Sequence, residues 1–253
     1  MSGKKIIPCL DMKNGKVVKG INFVNIKEVG DPVEMAKDYC MQGADELVFL
    51  DIAATVEERK TRKDLVTKIS KNINIPFTVG GGIRSLEDVE EVLAAGADKV
   101  GINSAAIKDK VFFKSAIDKF TAEKIVLALD GKRNDKGTWN VVVNGGMVDT
   151  GIDAIEWAKE AKSLGVKEIL LTSLDEDGEK KGYDLAFTKA IKDATNAIVI
   201  ASGGCGKLED FYDVFKSDIA DSGLAASIFH YKEIGIKELK AYLKEKGVSL
   251  YKE

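Results

Sequence analysis

The sequence predicts an α/β fold, a single (β/α)8 TIM barrel over residues 1–253, and three observations lead to it. Short apolar segments alternate with amphipathic segments from one end of the chain to the other. Segments of the first half recur in the second half at a constant offset. The 253 residues, 45% of them hydrophobic, suffice for one large core, because α/β barrels commonly run to about 200–250 residues.

Eight apolar segments are the predicted strands. Their nearly continuous hydrophobicity is typical of parallel strands buried on both faces. Pro8 lies inside the first of them, where a residue without an N–H is unusual, and a bulge is one interpretation. The predicted strands are KIIPCLD (5–11), ELVFLD (46–51), PFTVG (76–80), DKVGI (98–102), KIVLALD (124–130), EILLT (168–172), AIVIA (197–201) and IADSG (219–223).

The segments between the strands carry helix signals. DPVEMAKDYCMQG begins with Asp31 as a candidate N-cap and Pro32 in the first turn, and it ends on glycine. Ser85 and Asp88 form a capping-box pattern at the start of SLEDVEEVLAAG. No linker or low-complexity segment divides the chain, so the alternating units predict one domain.

An internal repeat favours the closed barrel over an open doubly wound sheet. Four separate stretches match at an offset of 122 residues, which predicts two duplicated (β/α)4 half-barrels at about residues 1–122 and 123–253. Such a duplication places like loops at opposite sides of one barrel face. The matches are GADELVFLD with GVKEILLTS, DPVEMAK with DAIEWAK, Gly81-Gly82 with Gly203-Gly204, and GINSAA (101–106) with GLAASI (223–228).

Composition excludes several classes of function. The formal net charge is −3, which provides no global basic footprint for nucleic acid. No apolar run approaches the roughly 20 residues of a membrane span, and no signal peptide is evident, so we expect a cytoplasmic protein. Three widely spaced cysteines and a single histidine, His230, form no metal-type cluster. We expect no metal.

Two runs of glycine indicate places where the backbone must carry no side chain. Gly80–Gly82 follow the third predicted strand, and Gly203-Gly204 follow the seventh. In barrels of this kind the loops after the strands build the active site, and a phosphate site after strands 7 and 8 is usual. Glycine lets backbone N–H groups approach an anion, and Ser104 and Ser227 add hydroxyl donors nearby. The sequence therefore predicts two phosphate sites and a substrate with a phosphate at each end.

Two aspartates end equivalent strands between these sites. Asp11 closes the first strand and Asp130 the fifth. Carboxylates that face each other across a barrel mouth suit general acid–base catalysis in the middle of the substrate. Asp51 also ends a strand, and we expect it to contact or support the substrate.

Two further regions carry candidate functions. The stretch from Met12 to Gly30 is interpreted as a long loop with several lysines, of the kind that closes over a substrate. Lys5, Glu46, Lys99 and Glu168 lie at strand starts, on the opposite barrel face. They form either a ring of ion pairs or ordinary solvated strand ends.

Taken together, these motifs resemble the cyclase subunits of imidazole glycerol phosphate synthase, a family of histidine biosynthesis. The resemblance extends over residues 4–248. It is carried by KIIPCLDMKNGKVVKGINF, ELVFLDI, PFTVGGGIR, ADKVGINSAA, LDGKR, EILLTSLDEDGEKKGYD, IVIASGGCGK and LAASIFH.

The resemblance implies an activity and a set of residue roles. With ammonia, such a subunit converts phosphoribulosyl-formimino-aminoimidazole-carboxamide ribotide into imidazole glycerol phosphate and aminoimidazole carboxamide ribotide, without a cofactor. A separate glutaminase subunit, docked at the N-terminal face of the barrel as a heterodimer, supplies the ammonia. The catalytic pair falls on Asp11 and Asp130. Substrate and phosphate contacts fall on Lys19, Asp51, Gly82, Asn103, Ser104, Thr172, Asp177, Gly178, Ser202, Gly204, Ala226 and Ser227, an ammonia gate on Lys5, Glu46, Lys99 and Glu168, and a partner contact on Asp98.

Some positions depart from the family pattern, and three competing functions stay open on the sequence alone. Gly131, Asn144 and Ser222-Gly223 differ from the residues usual in the family, as does Lys5, but none removes a catalytic group. The sister isomerase of the preceding histidine step shares the repeat and both phosphate sites. A cyclase-like barrel that acts with an amidotransferase on a surface sugar is a second candidate, and a non-catalytic activator of a glutaminase is a third.

Overall fold

The computed structural model describes residues 3–13, 15–21, 24–52, 54, 61 and 63–251. Eight parallel strands form a closed barrel, in which each strand pairs with the next and the last pairs with the first. The predicted (β/α)8 class is confirmed. In order around the barrel the strands are β1 (Lys5–Lys13), β4 (Leu47–Asp51), β5 (Phe77–Gly80), β6 (Lys99–Ile102), β7 (Ile125–Arg133), β10 (Glu168–Ser173), β11 (Ile198–Ser202) and β12 (Ser222–Ala225).

Helices follow the strands and cover the outside of the barrel. Asp31 caps the first, accepting hydrogen bonds from two backbone N–H groups, and Ser85 and Asp88 form the predicted capping box at the third. The helices are α1 (Pro32–Met41), α2 (Lys63–Ser70), α3 (Leu86–Ala94), α4 (Ser104–Lys108), α5 (Lys110–Phe120), α6 (Ala154–Ser163), α7 (Leu185–Thr195), α8 (Leu208–Lys216), α9 (Ser227–His230) and α10 (Ile236–Glu245).

The prediction of a long loop over residues 12–30 is wrong, because most of this stretch is β-structure. β1 continues to Lys13, and β2 (Lys16–Ile21) and β3 (Val24–Gly30) extend it as an antiparallel ribbon. A second ribbon, β8 (Trp139–Val143) and β9 (Val148–Asp153), extends β7 in the same way. Residues 14 and 22–23, which belong to a segment quoted above, lie outside the described residues, as do residues 53, 55–60 and 62.

One of the four repeat matches, GINSAA (101–106) with GLAASI (223–228), is wrong by one residue. The eighth strand, predicted at residues 219–223, lies at Ser222–Ala225. Asp98 accepts a hydrogen bond from the N–H of Phe77, and Asp221 accepts one from the N–H of Val199, so these two aspartates are equivalent. Their spacing is one residue longer than the offset of 122 between the glycine runs. The second half therefore contains one extra residue before its last strand.

The apolar core has two parts. The larger lies between the strands and the surrounding helices. The smaller fills the barrel interior with Ile7, Val48, Val126, Leu170 and Ile200, among others. Pro8 causes no bulge, since the parallel register of β1 with β12 continues through its pair with Ala225. Within the described part of the chain, no helix has the length and apolar character needed to cross a membrane.

Candidate active site

The strand ends at one face of the barrel surround three neighbouring clefts that share lining residues, and we call them together the groove. A central cleft of ≈ 90 Å³ contains Asp51 and Asp130. Asn103 and Ser104 line both this cleft and a neighbouring one of ≈ 220 Å³. Leu50 and Thr172 line both the central cleft and a third one, of ≈ 40 Å³, on the other side. The groove thus has a middle and two ends.

The first end lies between the loops that follow β5 and β6. We call Gly82, Asn103 and Ser104 the first clamp. Gly81, beside it, has a φ of +95°, and a Cβ there would lie 2.3 Å from the carbonyl oxygen of Asp51, so only glycine fits. α4 begins at Ser104, and the first turn of a helix leaves N–H groups without partners inside the helix.

The second end repeats this arrangement after β11 and β12. We call Gly178, Gly204, Ala226 and Ser227 the second clamp. Gly203 has a φ of +90°, and its Cβ would lie 2.6 Å from the carbonyl oxygen of Ser173, which is the equivalent of the contact at Gly81. Ser227 begins α9 as Ser104 begins α4, so each end presents a glycine loop and a serine at the start of a short helix.

The longer helices beyond the glycine runs contribute fewer free donors than the sequence suggests. Asp88 accepts hydrogen bonds from the N–H groups of Arg84 and Ser85 at 2.9 and 3.1 Å. Asp210 does the same for Gly206 and Lys207 at 2.7 and 3.0 Å. These carboxylates occupy the amides at the starts of α3 and α8. An anion at either end is therefore left with the glycine loop and the short helix.

The ends also differ in charge. Arg84 and Lys108 line the first end, together with Asp109. Asp11 and Asp177 line the second end, and no Lys or Arg among the described residues lines that cleft. Lys19 lies in β2, and only its backbone position is described.

Asp130 lies at the base of the central cleft. The side-chain amide of Asn103 donates a hydrogen bond to its Oδ2 at 2.8 Å, and Thr172 donates another. Burial is the main cause that raises the pKa of Asp130 to about 7; the nearby carboxylates of Asp177 and Asp11 add to the rise, and the two hydrogen bonds oppose it. Near neutral pH this carboxyl is present in both protonation states.

Asp11 and Asp51 are the other two carboxylates of the groove. Asp11 is 6% exposed, and the thiol of Cys9 is 3.5 Å from its Oδ1. Asp51 is buried at the end of β4, beside Gly81. Asp11 lines the second end and Asp51 the centre, so all three carboxylates open onto the same groove.

Two of the departures from the family pattern have local explanations. The ring of Phe187 fills the place of a side chain at Gly131, since a Cβ there would be 2.3 Å from the ring. Gly131 therefore packs tightly beside Asp130. Asn144, with a φ of +54°, donates its backbone N–H to the hydroxyl of Ser104 at 3.2 Å. The β8–β9 ribbon thus touches the first clamp.

At the opposite face, the four residues at the strand starts lie together, and we call this group the charged ring: Lys5, Glu46, Lys99 and Glu168. Ion pairs join Lys5 to Glu46 and Lys99 to both glutamates. The ammonium group of Lys99 lies within 2.8–3.1 Å of all four carboxylate oxygens of Glu46 and Glu168. Burial alone would lower the pKa of Lys99, but the combined effect of Glu46 and Glu168 is larger, so the pKa of Lys99 is raised. Burial raises the pKa of Glu168. Asp98 is exposed beside the ring.

Sequence reasoning placed most groove residues correctly at the strand ends, but it missed several. Leu50 and Cys9 line the groove although their pattern is that of ordinary core residues of a strand. Gly145 lines the central cleft from a ribbon that the sequence does not predict. Thr61 donates a hydrogen bond to the carbonyl of Gly81. The glycine pair at 145–146 was the one available signal.

Comparisons with known proteins agree with this geometry. The model of the histidine biosynthesis protein family matches residues 5–235, a range that contains every strand of the barrel. The imidazole glycerol phosphate synthase subunit HisF of Clostridium beijerinckii is 58% identical over 251 residues, 99% of each chain. That of Clostridium botulinum (strain Kyoto / Type A2) is 56% identical over 251 residues, also 99% of each chain. That of a Hydrogenobaculum species is 55% identical over 248 residues, 98% of each chain.

The fold and the family match define a histidine biosynthesis barrel, a (β/α)8 enzyme. More narrowly, the chain belongs to the family of cyclase subunits of imidazole glycerol phosphate synthase. As a subunit, it acts in a complex with a partner subunit. The resemblance inferred from the sequence is confirmed, and it is the cyclase subunit rather than the sister isomerase that these relatives match.

Proposed function

We propose that the groove binds phosphoribulosyl-formimino-aminoimidazole-carboxamide ribotide along its length, with one phosphate in each clamp. The observation that carries this proposal is a row of three neighbouring clefts, with a clamp at each end and Asp51 and Asp130 in the central one. Each clamp supplies backbone N–H groups and a serine hydroxyl, which are good partners for phosphate oxygens. The reacting atoms then lie over the central cleft.

Asp11 and Asp130 move the protons of the reaction. Adding ammonia, breaking the carbon–nitrogen bond that releases aminoimidazole carboxamide ribotide, and closing the imidazole ring all require protons to be given and taken. A carboxyl with a pKa of about 7 serves both purposes, because catalytic groups work best when their pKa is near the operating pH. Asn103 orients Asp130 through its 2.8 Å hydrogen bond.

The remaining groove residues position the substrate. Asp51 and Thr172 line the central cleft, and Asp177 and Ser202 line the second end. We assign Lys19 to the substrate through the resemblance. The domain is one barrel of two half-barrels, at about residues 1–122 and 123–253.

Ammonia enters from the face opposite the groove. The barrel interior between the charged ring and the groove is apolar, which suits a small neutral molecule and opposes its protonation. A separate glutaminase subunit docks over the charged ring, with Asp98 at its contact surface. The charged ring then acts as the gate between the two subunits.

Matched serine variants test the placement of the substrate. We expect Ser104→Ala and Ser227→Ala each to raise KM for the bisphosphate substrate about ten- to hundredfold, which corresponds to the loss of one hydrogen bond to a charged group. Ser163→Ala, on the exposed end of α6, is the control. If only one clamp variant changes KM, the substrate does not span both clamps and the proposal fails.

A further inference from the structure

The two lysines of the charged ring are held very differently. Lys99 contacts both glutamates at 2.8–3.1 Å, and its side chain is 16% exposed. Lys5 reaches a single oxygen of Glu46 at 3.3 Å, and its side chain is 25% exposed. Glu46 also accepts a hydrogen bond from Thr78 at 2.8 Å. Lys5 is therefore the weakly held member of the ring.

An aromatic side chain from the other end of the chain accounts for the position of Lys5. Its ammonium group lies 5.0 Å from the ring centroid of Tyr251, a distance at which a cation and an aromatic face attract each other. The attraction competes with the two carboxylates for the same charge. The ammonium group of Lys5 is thus attracted both by Glu46 of the charged ring and by the aromatic face of Tyr251.

Tyr251 is fixed in place by backbone pairing. Its N–H donates to the carbonyl of Lys4 at 3.0 Å, and the N–H of Lys4 donates to the carbonyl of Ser249 at 2.8 Å. Gly3 allows this approach, because a Cβ there would lie 2.2 Å from the backbone of Leu250. The C-terminal segment consequently pairs with Lys4 and lies directly beside Lys5.

We propose that Tyr251 is a positioning residue for the charged ring. It holds Lys5 at the rim of the ring, so that Lys5 rather than Lys99 moves aside when ammonia passes. This inference rests on the proposed passage of ammonia through the barrel. The physical reason is the difference in cost. Freeing Lys99 would leave the buried carboxylates of Glu46 and Glu168 without their main partner, whereas Lys5 gives up only one 3.3 Å contact with Glu46, which still has Lys99 and Thr78 as partners.

The position of Lys5 can be measured without any enzyme assay. In protein labelled with 13C at the lysine ε-carbons, the ring current of Tyr251 shifts the Lys5 signal upfield. We expect Tyr251→Leu to abolish this shift and Tyr251→Phe to keep it. Tyr242→Leu is the matched control, since Tyr242 lies 5.6 Å from Lys246 and its loss moves that signal alone. An unmoved Lys5 signal in Tyr251→Leu would overturn the proposal.

The consequence for gating is measured in the complex with the glutaminase subunit. Without Tyr251, Lys5 settles between the glutamates and tightens the ring. We expect Tyr251→Leu to raise the glutamate released per imidazole glycerol phosphate about two- to fivefold, the factor that corresponds to one cation–π contact. Turnover with added ammonium salt stays unchanged, and so does the ratio in Tyr251→Phe.

A double-mutant cycle separates this role from a general effect on folding. In a Lys5→Met background, Tyr251→Leu has no further effect on the ratio if the tyrosine acts through the lysine. An equal effect in both backgrounds contradicts the proposal. Failure of the unaltered chain to use ammonium salt would instead refute the proposed function, and the lysine signals would still report on Tyr251.

Discussion

The raised pKa of Asp130 predicts that this carboxyl, which we propose to be catalytic, destabilises the fold in a pH-dependent way. The pKa is about 7 in the folded protein and 3.8 in its reference state, so the unfolded chain releases the proton at lower pH. Between about pH 4 and pH 7 the folded state binds more protons than the unfolded state. Stability therefore falls as the pH rises through this window.

The magnitude follows from the size of the shift. About three pKa units at 1.36 kcal/mol each give a cost of about 4 kcal/mol above pH 7, as an upper bound. At pH 5 the same group costs only about 1.5 kcal/mol. Asp130→Asn removes this pH-dependent contribution to the free energy of unfolding. The stability that the variant gains over the unaltered protein is therefore about 2.5 kcal/mol larger at pH 8 than at pH 5. For a domain of this size that corresponds to roughly 5–10 °C in Tm.

Calorimetry at both pH values measures this difference. The comparison between pH values is the readout, because the contacts of the new amide contribute equally at both. Asp135→Asn, on an exposed turn, is the control and leaves the difference near zero. A Tm change for Asp130→Asn that is the same at pH 5 and pH 8 would refute the account of a buried, unfavourable carboxylate.

Three other substitutions test separate parts of the structure. Asp11→Asn abolishes turnover but leaves the stabilisation of the protein by inorganic phosphate intact, as measured by the shift in Tm; near-normal turnover contradicts its catalytic role. Gly131→Ala costs about 1–3 kcal/mol in denaturant unfolding, since its Cβ overlaps the ring of Phe187, and the same substitution costs less in a Phe187→Leu background. Thr121→Gly stabilises the protein by about 1 kcal/mol, because Thr121 has φ 74° and ψ 152°, a region that glycine alone adopts readily. Thr121→Ala does not, and an equal gain from alanine would show that strain is not the cause.

The barrel and most of its groove follow from local patterns. A strand buried on both faces is a short apolar run, and its carboxyl end is where the run stops, so Asp11, Asp51 and Asp130 could be placed at the groove from their neighbours alone. The two glycine runs were informative because the duplication shows the same solution twice. The contacts of Gly81 and Gly203 with the preceding strand end agree with that interpretation of their backbone.

Other features depend on interactions that no local pattern records. The ribbons β2–β3 and β8–β9 are half-polar, and their pairing with the extended ends of β1 and β7 decides their structure. The eighth strand is misplaced by its sequence pattern because Ile219 and Ala220 are buried without belonging to a strand. The fit of Phe187 over Gly131 and the contact of Tyr251 with Lys5 join residues that are distant in sequence, so only the folded chain brings them together.

The most direct test of the central claim uses the purified chain alone, without a glutaminase. It is given phosphoribulosyl-formimino-aminoimidazole-carboxamide ribotide and excess ammonium salt at mildly alkaline pH, and both products are quantified. We expect imidazole glycerol phosphate and aminoimidazole carboxamide ribotide in equal amounts, with no turnover in Asp11→Asn or Asp130→Asn. Untouched substrate in a folded sample, or turnover that survives the loss of both aspartates, would contradict it.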